Sequence, residues 1–221
     1  MTSSTDLTIR TGAHELDAIW SVPPGVRGTV AFAHGSGSSR HSVRNQFVAG
    51  VLQKAGFATL LLDLLTPEEE EFDQRTGRLR FDVALLSRRL DAAVQWCRSN
   101  AQVAGTGVGL FGASTGAAAA LISAARAPRD IWAVVSRGGR ADMAGPVLGQ
   151  VRAPTLLVVG SADPVVLDLN EAAAAQMTCP HRLSVVPGAS HLFEEPGALE
   201  RVAELARDWF LTYLGERKEV S

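Results

Sequence analysis

The chain consists largely of short apolar runs that alternate with segments of helical patterning. The apolar runs lie at residues 28–33, 57–62, 107–111, 131–135, 154–159 and 182–186. Runs with so few polar residues are typical of strands that are buried on both faces. Strands that alternate with helices form parallel β-α-β units, so the pattern predicts an α/β fold with helices on both faces of one sheet.

Helical patterning is clearest between Leu79 and Cys97, where apolar residues recur at spacings of three and four. Further helices are predicted at residues 46–55, 115–127, 168–177 and 198–214.

Two earlier strands, at residues 7–10 and 15–22, have no helix between them. Only residues 11–14 connect them, so we expect an antiparallel hairpin at one edge of the sheet. The prediction is therefore a single domain over residues 1–221 with one eight-stranded, mostly parallel sheet.

The composition argues against several classes of protein. A formal net charge of −2 provides no attraction to nucleic acid or to an anionic membrane surface. The longest apolar run, at residues 117–125, is too short to span a bilayer, and the N-terminus lacks the pattern of a signal peptide. Cys97 and Cys179 form no C-x-x-C pair, and no histidine cluster has metal-ligand spacing. We expect a cytoplasmic protein without a metal or cofactor.

Three polar residues follow the ends of predicted strands. Ser114 follows the fifth strand within Gly-Ala-Ser-Thr-Gly, Asp163 follows the seventh strand, and His191 follows the eighth. Open α/β sheets bind their ligands at the carboxyl ends of the strands, so these side chains are expected at one edge. A G-x-S-x-G sequence alone is a weak signal, because Ser114 could simply cap an alanine-rich helix.

These residue types suit nucleophilic catalysis. A histidine that takes the hydroxyl proton makes serine a nucleophile, and a carboxylate orients that histidine. We assign these roles to Ser114, His191 and Asp163, with Asp168 as the alternative acid, although it lies further from the strand end.

The negative charge that develops on the substrate oxygen needs hydrogen-bond donors. The backbone N–H of Thr115 and the start of its helix should point at the space above the nucleophile. The second donor is expected from the loop after the third strand, and we favour the N–H of Ser36. His34 is expected to hydrogen-bond this loop and to take no part in proton transfer.

Together these segments resemble the α/β-hydrolase superfamily. The resemblance rests on the serine turn, the His-Gly-Ser-Gly loop, the Pro-Gly-Ala-Ser-His segment and the order Ser–Asp–His. Within the superfamily, nearly the whole chain resembles the small hydrolases, with little or no cap, that are related to dienelactone hydrolase. The resemblance implies a serine hydrolase, similar to carboxylesterases, that cleaves small ester or thioester substrates through an acyl-enzyme. Dienelactone hydrolases proper carry cysteine where this chain has Ser114, so specificity for lactones does not carry over.

Two alternative functions remain open on the same fold. The first is an acyltransferase or a C–C bond hydrolase, which would use the same three residues. The second is a non-catalytic module that binds a ligand or a partner, and an intact set of three residues argues against it.

Basic side chains follow two of the strands at the expected active-site edge: Arg137, Arg140, Arg40, His41 and Arg44. The resemblance implies arginines that hold a substrate carboxylate, and Arg137 and Arg140 are the first candidates. Alternatively, these side chains pair with acidic neighbours such as the glutamates at 68–71 or simply solvate the rim. Residues 68–71 are themselves expected to form a solvated loop that could gate the cleft.

Overall fold

Eight strands form one sheet in the computed structural model, which describes residues 2–214. The strands are β1 (Ser3–Thr11), β2 (His14–Val22), β3 (Gly28–Ala33), β4 (Phe57–Leu62), β5 (Val108–Ala113), β6 (Ile131–Arg137), β7 (Thr155–Gly160) and β8 (His181–Val186). Their spatial order is β1-β2-β4-β3-β5-β6-β7-β8. β1 and β4 both pair antiparallel with β2, and all other pairs are parallel, which confirms the predicted sheet and its N-terminal hairpin.

Helices cover both faces of the sheet. They are α1 (Val43–Lys54), α2 (Pro67–Thr76), α3 (Val83–Ser99), α4 (Thr115–Arg126), α5 (Pro164–Ala174) and α6 (Ala198–Tyr213). Side chains of α1 and α6 form one apolar core against the sheet, and those of α3, α4 and α5 form a second core on the opposite face. Because both faces are covered, every residue of β3, β4, β5 and β7 is buried.

The register of the central strands sets where the site residues emerge. Ala33 pairs with Gly112, and Ala113 pairs with Arg137, so β3, β5 and β6 end side by side. β7 and β8 end together as well, at the Gly160–Val186 pair. The loops that follow all five strands therefore open at the same edge of the sheet.

The prediction of a solvated loop at residues 68–71 is wrong, because these residues lie in α2. Thr66 caps this helix by accepting a hydrogen bond from the N–H of Glu69, and the Glu69 side chain accepts one from the N–H of Thr66. Glu69 also pairs with the buried Arg89 of α3 at 2.6 Å. The sequence did carry the signal, since threonine followed by proline and then glutamate at the third helical position is a capping box.

Three predicted helices begin at residues different from those expected, and the first of them, α1, begins at Val43 instead of residue 46. α3 begins at Val83, after Leu79, because the carboxylate of Asp82 accepts a hydrogen bond from the N–H of Leu85 and caps the helix there. α5 begins at Pro164, directly after Asp163, and not at Asp168.

The close packing of α4 on the sheet yields a stability prediction. A Cβ at Gly116 would overlap the backbone carbonyl oxygen of Ala33, whereas a Cβ at Gly50, in α1, meets nothing within 4 Å. We expect Gly116→Ala to lower the free energy of unfolding by about 1–3 kcal/mol. The control Gly50→Ala should raise it by roughly 0.5–1 kcal/mol, because alanine is the better helix former. Urea unfolding curves measure the free energy of unfolding of both variants. Equal changes in the two variants would mean that the packing of α4 does not depend on the contact at Gly116.

Candidate active site

Ser114 lies in a strained turn between β5 and α4. Its φ of 50° and ψ of −119° are disfavoured for a residue with a side chain, so the surroundings must hold it there. Its backbone N–H donates to the carbonyl of Arg137 at 3.2 Å, and its own carbonyl accepts from the N–H of Arg140 at 3.0 Å. The last residue of β6 and the segment after it thus hold the serine backbone from both sides.

The Ser114 side chain faces His191 and makes no capping hydrogen bond to α4. Its Oγ lies 3.3 Å from Nε2 of His191, and Nδ1 of His191 lies 2.7 Å from Oδ2 of Asp163. A carboxylate only accepts hydrogen bonds, so Nδ1 carries the hydrogen and Nε2 of the neutral ring is free to accept from the serine. The structure therefore brings together the three residues that the sequence singled out.

The alternative acid, Asp168, takes no part in this chain of hydrogen bonds. It is exposed within α5, while Asp163 stands at the start of that helix with a carboxylate that is only 16% exposed. The carboxylate of Asp163 makes no capping bond to α5, so it remains available to the histidine.

The two predicted backbone donors border the serine. Thr115 is the first residue of α4, and Ser36 follows Gly35, where a Cβ would lie 3.1 Å from the Cβ of Ser114. Within residues 2–214, the backbone N–H groups of Ser36 and Thr115 donate to no acceptor of the protein. Both are therefore available to a ligand oxygen above Ser114.

A cleft of about 230 Å³ opens beside these groups. Its lining includes Ser114, His191, Ser36, Arg44, Asn45 and Arg137.

Arg137 is 7% exposed and forms no ion pair with any residue in the described part of the chain. Burial, together with the positive charge of Arg44, lowers the pKa of Arg137 to about 10. A guanidinium in this setting would gain from an anionic ligand, because its charge is largely desolvated and no carboxylate of residues 2–214 pairs with it.

Three other basic candidates, Arg140, Arg40 and His41, do not line this cleft. Arg140 holds Asp142 through two hydrogen bonds of 2.9 and 2.8 Å. Arg40 pairs with Asp63 and, at 3.2 Å, with Asp17, and it lines a neighbouring cleft. His41 is exposed, and its backbone N–H contacts the hydroxyl of Ser39. None of these pairs involves the glutamates at 68–71.

Sequence reasoning did not identify Asn45 as a residue of the site. Asn45 lies in the first turn of α1, is 2% exposed, and its Oδ1 finds no hydrogen-bond partner among residues 2–214. A lone asparagine in a helical pattern carries no distinctive sequence signal, so only the structure reveals it.

The described residues contain no group of three or more metal-ligating side chains that could hold an ion. Likewise, no helix within residues 2–214 combines the length and the apolarity needed to cross a bilayer.

Comparison with known proteins shows the family of this chain. The profile of the dienelactone hydrolase family matches residues 23–214. The chain belongs to that family. A crystal structure of a dienelactone hydrolase from Anabaena variabilis superposes with a TM-score of 0.94 at 52% identity, covering 96% of this chain and 99% of that one. The family and the fold identify this dienelactone hydrolase family member as an α/β hydrolase.

Other relatives of this family member differ in length or in sequence. A putative phosphoribosyl transferase of Mycobacterium tuberculosis is 58% identical over 194 residues, which are 88% of this chain but 43% of that protein. The chain thus spans less than half the length of that relative. Est1E from Butyrivibrio proteoclasticus is 16% identical with a TM-score of 0.79, covering 94% of this chain and 98% of that one, which shows a shared fold alone.

Neither cysteine of this family member lies at the serine turn. Cys97 is in α3 and Cys179 precedes β8, and both are buried. Burial raises the pKa of the Cys97 thiol to about 12 and also raises that of Cys179. Since the thiolate is the reactive form of cysteine, both side chains are poor nucleophiles in the folded protein.

We therefore expect the folded protein to resist thiol alkylation. At pH 8, iodoacetamide should leave Cys97 and Cys179 unmodified over a period in which both react fully in the chain unfolded by guanidinium. Intact-mass spectrometry measures the extent of labelling in each state. Rapid labelling of Cys97 in the folded protein would contradict the raised pKa and the burial that causes it.

Proposed function

We propose that this protein is a serine hydrolase, similar to carboxylesterases, that cleaves small ester or thioester substrates through an acyl-enzyme. The observation that carries the proposal is the chain of hydrogen bonds from Ser114 through His191 to Asp163 at the edge of the cleft. The strained backbone of Ser114 supports it, because strain of this kind persists where the surrounding structure holds a functional group in place.

In the proposed reaction, Nε2 of His191 takes the proton of Ser114 as its Oγ attacks the carbonyl carbon of the substrate. The tetrahedral oxyanion accepts hydrogen bonds from the N–H groups of Ser36 and Thr115 and is stabilised by the N-terminus of α4. His191 then gives its proton to the leaving alcohol or thiol. A water molecule, deprotonated by His191, hydrolyses the acyl-enzyme and regenerates Ser114. The apo distance of 3.3 Å between Ser114 and His191 can shorten when a substrate binds.

Asp163 does not gain a proton in this scheme. Its carboxylate keeps the hydrogen of His191 on Nδ1 and stabilises the imidazolium that forms when Nε2 accepts a second proton. The mechanism requires no metal or cofactor. Two free buried thiols are consistent with a reducing compartment, and we propose the cytoplasm as the location.

We further propose that the substrate carries an anionic group, such as a carboxylate, that docks against Arg137. The buried guanidinium of Arg137 lines the same cleft as Ser114 and has no ion pair in the described structure. Arg44 lines the cleft as well, although Glu194 neutralises it in part at 3.1 Å. Arg140 is held by Asp142 and is the weaker candidate.

Activity-based labelling and kinetics test the catalytic assignment. A fluorophosphonate probe should label the native protein but not the Ser114→Ala variant, and a non-catalytic module would not react at all. In a screen of ester substrates, Ser114→Ala and His191→Ala should each lower kcat by roughly 10⁴–10⁶-fold. Combining them should cost little more, because the two groups act as one unit.

The two aspartates provide the matched control for this test. Asp163→Asn should lower kcat by roughly 10⁴-fold, because it leaves His191 in the wrong tautomer. Asp168→Asn makes the same chemical change five residues further along the chain, within α5, and should leave kcat close to the native value. If the Asp168 variant is the inactive one, the assignment of the acid is wrong.

Substrate charge is tested with pairs of esters that differ only in a carboxylate. We expect the native enzyme to show a higher kcat/KM for the carboxylate ester than for its neutral analogue. Arg137→Ala should reduce this preference by about 10–100-fold, the value of a hydrogen bond to a charged group, and should spare the neutral ester. Arg140→Ala serves as the control and should keep the preference. Equal losses on both esters in the Arg137 variant would indicate a structural role for the side chain.

A further inference from the structure

His34 is a buried histidine outside the proposed proton pathway. It follows β3, is 7% exposed, and both of its ring nitrogens contact the backbone. Nδ1 lies 2.8 Å from the carbonyl oxygen of Gly35, and Nε2 lies 3.0 Å from the amide nitrogen of Leu64, two residues after β4. The imidazole therefore links the end of one central strand to the loop that follows its neighbour.

The two contacts define the protonation state of the ring. A carbonyl only accepts, so Nδ1 must carry a hydrogen, and a backbone N–H only donates, so Nε2 must be unprotonated. His34 is thus the neutral Nδ1–H tautomer. Burial, which opposes the charged ring, lowers the pKa of His34, whereas the Gly35 carbonyl, Asp63 and Glu70 act in the opposite direction. A protonated ring would place two N–H groups against each other at Leu64.

The carbonyl of Gly35 belongs to the same peptide unit as the N–H of Ser36. In a trans peptide these two groups point in opposite directions, so a partner that holds the carbonyl also sets the direction of the N–H. His34 lines the neighbouring cleft, while Gly35 and Ser36 line the cleft that contains Ser114. Because His34 holds the carbonyl, the N–H of Ser36 is directed away from the ring, and Ser36 itself lines the cleft of Ser114.

We propose that His34 is a positioning residue, whose Nδ1–H holds the Gly35–Ser36 peptide so that the Ser36 N–H meets the oxyanion. The inference rests on the proposed function, in which that N–H is an oxyanion donor. The hydrogen bond to the carbonyl also polarises the peptide and makes its N–H a stronger donor. The N–H of Ser38 donates to the same carbonyl at 3.2 Å. A variant that lacks the Nδ1–H of His34 therefore keeps this second hydrogen bond and the turn that it closes.

Two substitutions separate the two ring contacts. The amide nitrogen of asparagine can take the place of Nδ1, so His34→Asn keeps the donor to Gly35 and loses the contact with Leu64. The amide oxygen of glutamine can take the place of Nε2, so His34→Gln keeps the acceptor for Leu64 and loses the donor to Gly35. Each variant loses the ring and one hydrogen bond, so thermal unfolding should show similar losses of stability.

We expect the kinetic effects of the two variants to differ. His34→Gln should lower kcat by about 10–100-fold with KM nearly unchanged, because a misdirected oxyanion donor weakens transition-state binding alone. The inhibition constant of a trifluoromethyl ketone, which forms a tetrahedral adduct with serine, should rise by a similar factor. His34→Asn should stay within a few-fold of the native protein in both measurements. Equal kinetic losses in the two variants, or no loss in either, would overturn the proposal.

Nuclear magnetic resonance gives a readout that does not depend on activity. The native protein should show His34 protonated at Nδ1 and not at Nε2, and the Ser36 amide resonance should move in His34→Gln but not in His34→Asn. A ring protonated at Nε2, or equal movement of the Ser36 resonance in both variants, would refute the inference. If the native protein cleaves no ester and binds no ketone, the proposed function fails, and these resonances still decide the role of His34. If His34→Gln does not fold, His34→Asn alone tests the proposal. The proposal is supported if this variant keeps the native Ser36 resonance and kcat, and it is refuted if both are lost.

Discussion

The close approach of α4 to the sheet is the constraint on which the site depends. The helix begins so near the strand ends that a Cβ at Gly112 would overlap Ala117, and one at Gly116 would overlap the carbonyl of Ala33. Only glycine leaves room for this turn, which carries Ser114 above the sheet in a backbone conformation that an isolated chain would avoid. Two backbone hydrogen bonds, one with the last residue of β6 and one with the segment after it, hold the serine there.

The same segment connects the serine to the rest of the cleft. Arg137 accepts a hydrogen bond from the Ser114 N–H with its carbonyl, and its guanidinium carbon lies 5.9 Å from the centre of the Phe193 ring. A Cβ at Gly138 would come within 3.1 Å of the carbonyl oxygen of His191. The segments that follow β6 and β8 are therefore packed together, and the serine, the histidine and the buried arginine lie at this contact.

Two histidines of the site have the same tautomer and different environments. In both His34 and His191, Nδ1–H points to an oxygen of the protein, a backbone carbonyl in one and the Asp163 carboxylate in the other. At His34 the second nitrogen is occupied by a backbone N–H, so the ring cannot accept a proton without losing a contact. At His191 the second nitrogen faces a hydroxyl, and the carboxylate behind the ring can stabilise a positive charge. The two side chains thus suit different tasks in the proposed function, positioning for His34 and proton transfer for His191, because their partners differ.

The sequence by itself determined the sheet and the position of the three central site residues. Apolar runs that alternate with helical patterning leave few arrangements other than a parallel sheet between helices, and the carboxyl ends of such strands bring Ser114, Asp163 and His191 to one edge. Only the tertiary structure decided which basic residues are free for a ligand. Arg40 and Asp63 are 23 residues apart in the chain, and Arg44 and Glu194 are 150 apart, so no local pattern reveals these pairs. Hydrophobic periodicity is a local property of the chain, whereas the neutralisation of a charge depends on which distant segments the fold brings into contact.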